Sequence, residues 1–559
     1  MRLVPLTGMF MALLSVHATV QGDEQSMTAA QAFIREYEES VVPLNTASGR
    51  AWWDANTTGR DEDFAAKEAI ENRLNEILSS SVQFERLQKI RQGTIEDPQV
   101  ARQIELLHWT YLEKQVELSI LKRIASKENS IEKTFNSFRA TIGDDSYTSS
   151  QVREVLLKSE DSTARQQIWE ASKEVGAQVA SDLHELVILR NQAARQLGFA
   201  DFHAMQLELN EQNQADVLQL FDELDQLTRK PFSRTKEGID QHLALHYGVS
   251  VAELRPWHYH DPFFQEAPGV YDVDIDGPFA SCDILGICKE FYKGIGLPID
   301  DVIERSDLYE KPKKSPHAFC IDIDRRGDVR VLANIKPTEY WMSTMLHELG
   351  HAVYGSKNIP PEMPYLLRSD AHILATEGVA MMFERFSTSA DWLSTFGVKV
   401  QDAAAFTAAG RRMRRDKLLI FSRWCQVMLR FEIALYQDPD QDLNTLWWDL
   451  VEKYQMVRRP EGRDAPDYAS KIHIITAPAY YHNYMMGELF ACQLHEAIVR
   501  ELKLSSDPAT AVYTDNPAVG EFMKNKVFAA GLTLPWNDLT RHATGAPLNA
   551  KAFAAEFQD

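Results

Sequence analysis

The chain has 559 residues and a formal net charge of −22, with 25% charged and 44% hydrophobic residues. That length allows a large core, in one continuous body or two lobes, while the acidic balance argues against a nucleic-acid surface, which needs cations to meet phosphates. Five cysteines, few and odd in number, exclude a disulfide-built scaffold, and none has zinc-finger spacing.

Residues 1–22 read as a secretory leader, with Arg2, an apolar run from Val4 to Val16, and small residues around Ala18 and Gly22. The run is too short to span a bilayer, and later apolar runs are broken by charge. The expectation is an exported mature chain, periplasmic or secreted, without a membrane span; a retained N-terminal anchor is the alternative. From Gln25 to about Ser250 the pattern is helical, with apolar residues at three- and four-residue spacing in Glu68 to Ile90, Pro98 to Ser126, Gln151 to Glu174 and Ala177 to Leu197. Turns are expected at Gly143-Asp144-Asp145 and Gly198-Phe199-Ala200-Asp201. No fixed-period repeat is visible, which argues against a solenoid. Arg255 to Val273, rich in proline and aromatics, reads as an irregular segment serving either the core or a cleft.

The one clear β signal lies between Pro316 and Pro337, where His317 to Asp324 and Val329 to Ile335 alternate around Arg325-Arg326-Gly327-Asp328 as a hairpin. Its role is open between shielding the core and offering an edge to an extended peptide. A helix follows, capped by Thr338 after Pro337 and running to about Gly355. The stretch from Ala371 to Phe386 reads as another helix, and Ala390 to Asp559 as mostly helical.

The capped helix carries His347-Glu348-Leu349-Gly350-His351. Residues four apart share a helix face, so both imidazoles can reach one Zn²⁺ with Glu348 beside the open coordination position. Zinc acidifies water, and a nearby carboxylate can take the proton as that water attacks a peptide carbonyl. The flanking Met345, Leu346, Leu349, Ala352 and Val353 are apolar, so the polar groups need partners that a metal supplies. A third ligand is expected from the next helix. Glu377, among Gly378, Val379, Ala380, Met381 and Met382, is the choice. Glu384, before Arg385, reads as a solvated or ion-paired glutamate, and His372 is the ligand of a three-histidine alternative.

A second constellation runs from Lys471-Ile472-His473 to Tyr480-Tyr481-His482-Asn483-Tyr484. If Thr476-Ala477-Pro478 opens a helix, Tyr481 and Tyr484 share a face that could meet the metal and donate to a developing oxyanion. A lysine and a tyrosine nearby could hold a carboxylate. Core or interface packing is the competing account of so many aromatics.

These residues together resemble the angiotensin-converting-enzyme-like zinc metallopeptidases, in a bacterial-type version. The resemblance extends over most of the mature chain and includes Ala51-Trp52-Trp53-Asp54, Trp447-Trp448 with Lys453-Tyr454-Gln455, and His495-Glu496-Ala497. Arg368 stands nine residues before Glu377, and His317-Ala318 begin thirty before His347, as in that family. The resemblance implies a mainly α, two-lobed ellipsoid with a deep central cleft and the small hairpin beside the zinc helix, built as one helical domain over 23–559. It implies one zinc ion on His347, His351 and Glu377, with Glu348 as base and proton shuttle and His473 and Tyr484 as transition-state donors. Lys471 and Tyr481 would clamp the C-terminal carboxylate of an oligopeptide, with Gln265 the candidate for the family's third clamp residue, and His317 and Ala318 would hold the backbone. Such an enzyme releases C-terminal dipeptides.

The chain departs from the pattern in several places. One residue is inserted between His473 and the tyrosines, so Tyr480 competes with Tyr481 for the clamp. Asn483 replaces the arginine of chloride-activated members, which argues against chloride dependence. Pro316 replaces a disulfide cysteine, and Met381 replaces the aspartate that follows the glutamate ligand, so support for a zinc histidine must be built otherwise. The rival readings are an oligoendopeptidase or zinc carboxypeptidase of related helical fold and a non-catalytic peptide-binding protein.

Overall fold

The computed structural model describes residues 9–269 and 274–558, with side-chain surroundings from Gln25 onwards. The leader expected over 1–22 lies outside the residues whose side chains are described, as do residues 270–273 of the irregular segment.

An N-terminal layer consists of α1 (Met9–Thr58), α2 (Asp61–Leu78), α3 (Ser81–Arg91) and α4 (Pro98–Leu112). The helix expected from Glu68 to Ile90 is thus two, because Ser80 turns its hydroxyl onto the Gln83 N–H and caps α3. Asp97 does the same for α4, with Pro98 in the first helical position, where its missing N–H costs nothing. Phe33, Tyr37, Leu87, Ile104, Leu107 and Tyr111 give this layer a core of its own, joined by Leu366 from the second lobe.

The longer part of the chain begins with α5 (Leu118–Ser137), a hairpin of β1 (Ala140–Ile142) and β2 (Asp145–Tyr147), α6 (Ser149–Lys158), α7 (Ser162–Gln196), α8 (Phe202–Leu209) and α9 (Gln214–Tyr247). The first hairpin stands where only a turn was expected, and it closes at Gly143, whose φ of +60° suits glycine. The break expected between Glu174 and Ala177 is absent. It falls instead before Ser162, where Asp161 caps α7, and the helix runs on through Gly176. A Cβ at Gly176 would lie 2.5 Å from the Pro466 carbonyl oxygen, so this glycine serves close packing rather than a turn.

The second lobe continues with α10 (Ile284–Gly294), α11 (Asp300–Arg305), the hairpin of β3 (Phe319–Asp322) and β4 (Val329–Leu332), α12 (Glu339–Tyr354) and α13 (Ile373–Glu384). It ends with α14 (Ala390–Thr395), α15 (Ala403–Gln437), α16 (Leu443–Gln455), α17 (His473–Thr476), α18 (His482–Leu502), α19 (Pro517–Lys526), α20 (Trp536–Thr544) and α21 (Lys551–Ala555). The fold is therefore mainly helical and two-lobed, with small hairpins. Its large core includes Trp169, Phe291, Leu346, Leu374, Trp392, Trp424 and Phe490. All five cysteines are free, and no helix among the described residues is long and apolar enough to cross a membrane.

At the centre of this core α12, α13 and α18 meet through glycines. A Cβ on Gly350 of α12 would lie 2.7 Å from Ala380 Cα of α13, and one on Gly378 of α13 would lie 2.8 Å from the Gly487 carbonyl oxygen of α18. The backbones touch because these three residues carry no side chain.

Candidate active site

The glycine contacts bring the site together. His351 follows Gly350, Glu377 precedes Gly378, and Tyr484 lies three residues before Gly487, so each functional side chain leaves its helix close to a crossing. Helix α12 starts where Thr338 accepts from the Trp341 N–H, and it buries Met342, Met345, Leu346, Leu349, Ala352 and Val353. The face left over presents His347 and His351.

His347 Nε2 lies 3.1 Å from His351 Nε2 and 3.6 Å from Glu377 Oε2, and His351 Nε2 lies 3.9 Å from the same oxygen. His347, His351 and Glu377 are the group among the described residues whose donor atoms all lie within 4.8 Å of one another. Zinc–ligand bonds of about 2.0–2.1 Å in a tetrahedron place ligand atoms about 3.3 Å apart. The observed triangle is of that size. Both Nδ1 atoms are occupied, His347 at 2.8 Å from Glu384 Oε2 and His351 at 2.8 Å from Thr376 Oγ1. Both Nε2 atoms therefore face the centre, and the donor set fits zinc.

Glu348 is buried beside this trio, close enough to the Cys320 backbone N–H of β3 for that dipole to favour its charged form. Burial pushes its pKa up to about 7, against the pull of the His347 charge. A carboxylate so placed can hold or release a proton near neutrality. Among the described residues β3 pairs only with β4, which leaves its other edge without a partner strand there. Ala318 is half-buried just before β3, and His317 is exposed.

Glu384 and His372 also find their places here, His372 leaving the third-ligand role to Glu377 as expected. Of the two readings of Glu384 the ion pair holds and the solvated face does not. Glu384 is half-buried against His347, with Lys417 Nζ at 3.7 Å, because it lies two helical turns after Glu377 on the same face of α13. Burial would raise its carboxyl, but the Lys417 and His347 charges hold it below the ordinary range. His372 stands at the N-cap of α13 with its Nδ1 accepting from the Leu374 N–H, outside the trio.

The second constellation converges as well. Lys471 Nζ donates to Gln265 Oε1 at 2.6 Å, and the Tyr481 hydroxyl reaches the same oxygen at 3.4 Å. The buried ammonium lies 5.2–5.3 Å from the ring centroids of Phe263, Trp424 and Tyr481, a setting that stabilises a desolvated cation. Burial lowers Lys471 to about 8, while Asp261 opposes the drop. His473 packs on Tyr481 at 5.3 Å, Tyr481 on Tyr484 at 5.5 Å, and Tyr484 on Tyr480 at 5.2 Å, forming one aromatic wall. Burial and the Lys471 charge push His473 down to about 4, so it is neutral at pH 7, and its Nδ1 is buried without a partner. The Glu377 charge bears on both Tyr484 and Tyr480, which ties this wall to the metal trio. Tyr480 thus sits on the metal side and Tyr481 on the side of Lys471.

The helix expected to open at Pro478 starts only at His482. Between α17 and α18 the chain passes through Ala479 at φ +55°, with the Ala479 N–H donating to buried Glu432 Oε1 at 2.9 Å. Arg190 donates to the Ile474 and Ile475 carbonyl oxygens. Neither Arg190 nor Glu432 was foreseen from the sequence, because both act through backbone atoms of a segment nearly three hundred or about fifty residues away. Asn483 is buried and accepts from Gln212 Nε2 at 2.6 Å, so its position holds a neutral amide pair.

A cavity of about 650 Å³ lies between the N-terminal layer and the start of α13, lined by Tyr37, Trp109, Asp370 and His372 among others.

The family Peptidase M2, angiotensin-converting enzyme, matches residues 24–244 and 279–559. The chain is similar to angiotensin-converting enzyme of Mus musculus, 24% identical over 56% of the chain and 26% of the relative. It is 21% identical to that of Theromyzon tessulatum over 58% of the chain and 54% of the relative, and 21% identical to that of Mesocricetus auratus over 95% of the chain and 42% of the relative. The chain therefore spans between about a quarter and about a half of the length of these relatives.

Proposed function

The chain belongs to the angiotensin-converting-enzyme family of zinc metallopeptidases, and on that premise we propose that it hydrolyses oligopeptides and releases their C-terminal dipeptides. One observation carries the reading: a His347, His351 and Glu377 trio flanked by Glu348, joined through a continuous aromatic wall to a buried Lys471–Gln265–Tyr481 group.

His347, His351 and Glu377 would hold the zinc. When bound, zinc supplies Lewis acidity that acidifies water and polarises a peptide carbonyl. Glu348 takes the proton as water attacks the carbonyl carbon, and delivers it to the amine as the C–N bond breaks. The Tyr484 hydroxyl and a His473 ring N–H donate to the oxygen on which negative charge develops. Lys471, Gln265 and Tyr481 bind the terminal carboxylate of the leaving dipeptide, and Ala318, His317 and the free edge of β3 align the backbone. The neutral Asn483–Gln212 pair supports activity without chloride. Residues 1–22 would export the enzyme to the periplasm or the medium, and 23–559 would work as one domain.

The test compares a blocked tripeptide with its C-terminal amide. Dipeptide release from the free acid alone is expected. Equal cleavage of both would replace the reading by an oligoendopeptidase, and release of single residues by a carboxypeptidase. Zinc-loaded protein that cleaves neither would point to a peptide-binding protein.

A further inference from the structure

We propose that Glu384 is the positioning residue for His347, and that it does from two turns along α13 what the expected aspartate at position 381 cannot do where Met381 stands. The inference rests on the zinc reading above. Glu384 Oε2 lies 2.8 Å from His347 Nδ1, a distance at which the ring N–H donates to a carboxylate. That bond fixes the ring plane and the tautomer, leaving the Nε2 lone pair aimed at His351 and Glu377.

The helix explains how the substitution works. A residue seven positions after Glu377 returns to the same face of α13, about 10.5 Å along the axis at 1.5 Å per residue. His347 precedes His351 by one turn of α12, so its ring lies at the end of the site that Glu384 reaches. His351 receives a neutral hydroxyl instead, Thr376 Oγ1 at 2.8 Å. The two histidines are therefore held unequally, one by a charge-assisted bond and one by a neutral one.

Glu384 itself is tied from behind. Lys417 Nζ on α15 lies 3.7 Å from Glu384 Oε1, and Arg414 on the same helix lies 4.0 Å from Glu488 of α18 and 3.5 Å from Glu556 after α21. The carboxylate keeps its charge in the core because these cations face it. Lys417 is itself solvent-exposed, so removing it alters the charge at Glu384 without opening the core.

The experiment measures zinc affinity by chelator competition in wild type, Glu384→Gln, Glu384→Ala and Lys417→Met. Nitrogen-15 NMR of the histidine rings in the zinc-free proteins, at a pH alkaline enough for His347 to be neutral, reads the tautomer directly. Loss of a partner bond to a metal-ligating histidine weakens binding by about 10- to 100-fold, so Glu384→Ala should lie near the upper end of that range and the isosteric Glu384→Gln near the lower. Lys417→Met should weaken it by a smaller factor. His347 should carry its proton on Nδ1 in wild type and lose that preference in Glu384→Ala. A folded Glu384→Ala that binds zinc as wild type does, or a wild-type His347 protonated on Nε2, overturns the proposal. Wild type that takes up no zinc overturns the metal reading instead, while the tautomer still tests the Glu384 bond.

Discussion

The two ends of the site are built by different means. At the metal end the three metal-binding groups and the base come from α12 and α13, two helices whose backbones touch at Gly350, so their geometry is set by helical spacing and one crossing. At the clamp end Lys471 and Tyr481 meet Gln265 across more than two hundred residues, and the segment carrying them is irregular and held by Arg190 and Glu432. The first arrangement should make chemistry depend steeply on single atoms. The second should make binding depend on several weaker contacts.

Substitutions at the two ends should separate these behaviours. Glu348→Gln should keep zinc and lose activity by about 10²–10⁴-fold, because the amide cannot accept the proton; zinc content and kcat measured together check this. Tyr484→Phe removes one oxyanion donor and should lower kcat by about 10²–10³-fold, with KM little changed. At the clamp, Lys471→Ala should raise KM for free-acid peptides by about 10- to 100-fold, equivalent to about 1.5–3 kcal/mol for a hydrogen bond to a charged group, and leave amidated peptides unaffected. A kcat effect as large as that at Glu348 would break the distinction between the two ends.

Acidity gives a finer test. Lys471, lowered to about 8 by burial, is charged below that pH and neutral above it. The KM for a free-acid peptide should therefore rise as the pH passes upward through about 8, while the amide shows no such rise. Chloride should change neither parameter, since the Asn483 position holds an amide pair rather than a cation.

The same contrast explains what the sequence disclosed. The metal end was legible because the i, i+4 spacing of His347 and His351 and the apolar surroundings of Glu377 are local signals. Glu384 was legible in principle, two turns on from Glu377, but its neighbour Arg385 suggested a surface ion pair; in the fold Arg385 turns to Glu556 instead. At the clamp end no local signal could join Gln265 to Lys471, and only the resemblance singled it out. Helix existence was read well and the Thr338 cap was placed correctly, whereas the junctions capped by Ser80 and Asp161 were misplaced. The β1–β2 hairpin was missed because three-residue strands carry too little alternation to register.

Contact between bare backbones at Gly350, Gly378 and Gly487 has one more consequence. Where side chains set the spacing between helices, each exchange of a large residue for a smaller one lets the helices drift. Here main chain rests on main chain, which cannot shrink. The surrounding side chains are free to diverge in shape and volume while the distance between the histidines and the glutamate stays constant. The site is in that sense gauged by the peptide backbone itself, and a single added methyl at a crossing should disturb it more than many exchanges elsewhere in the core.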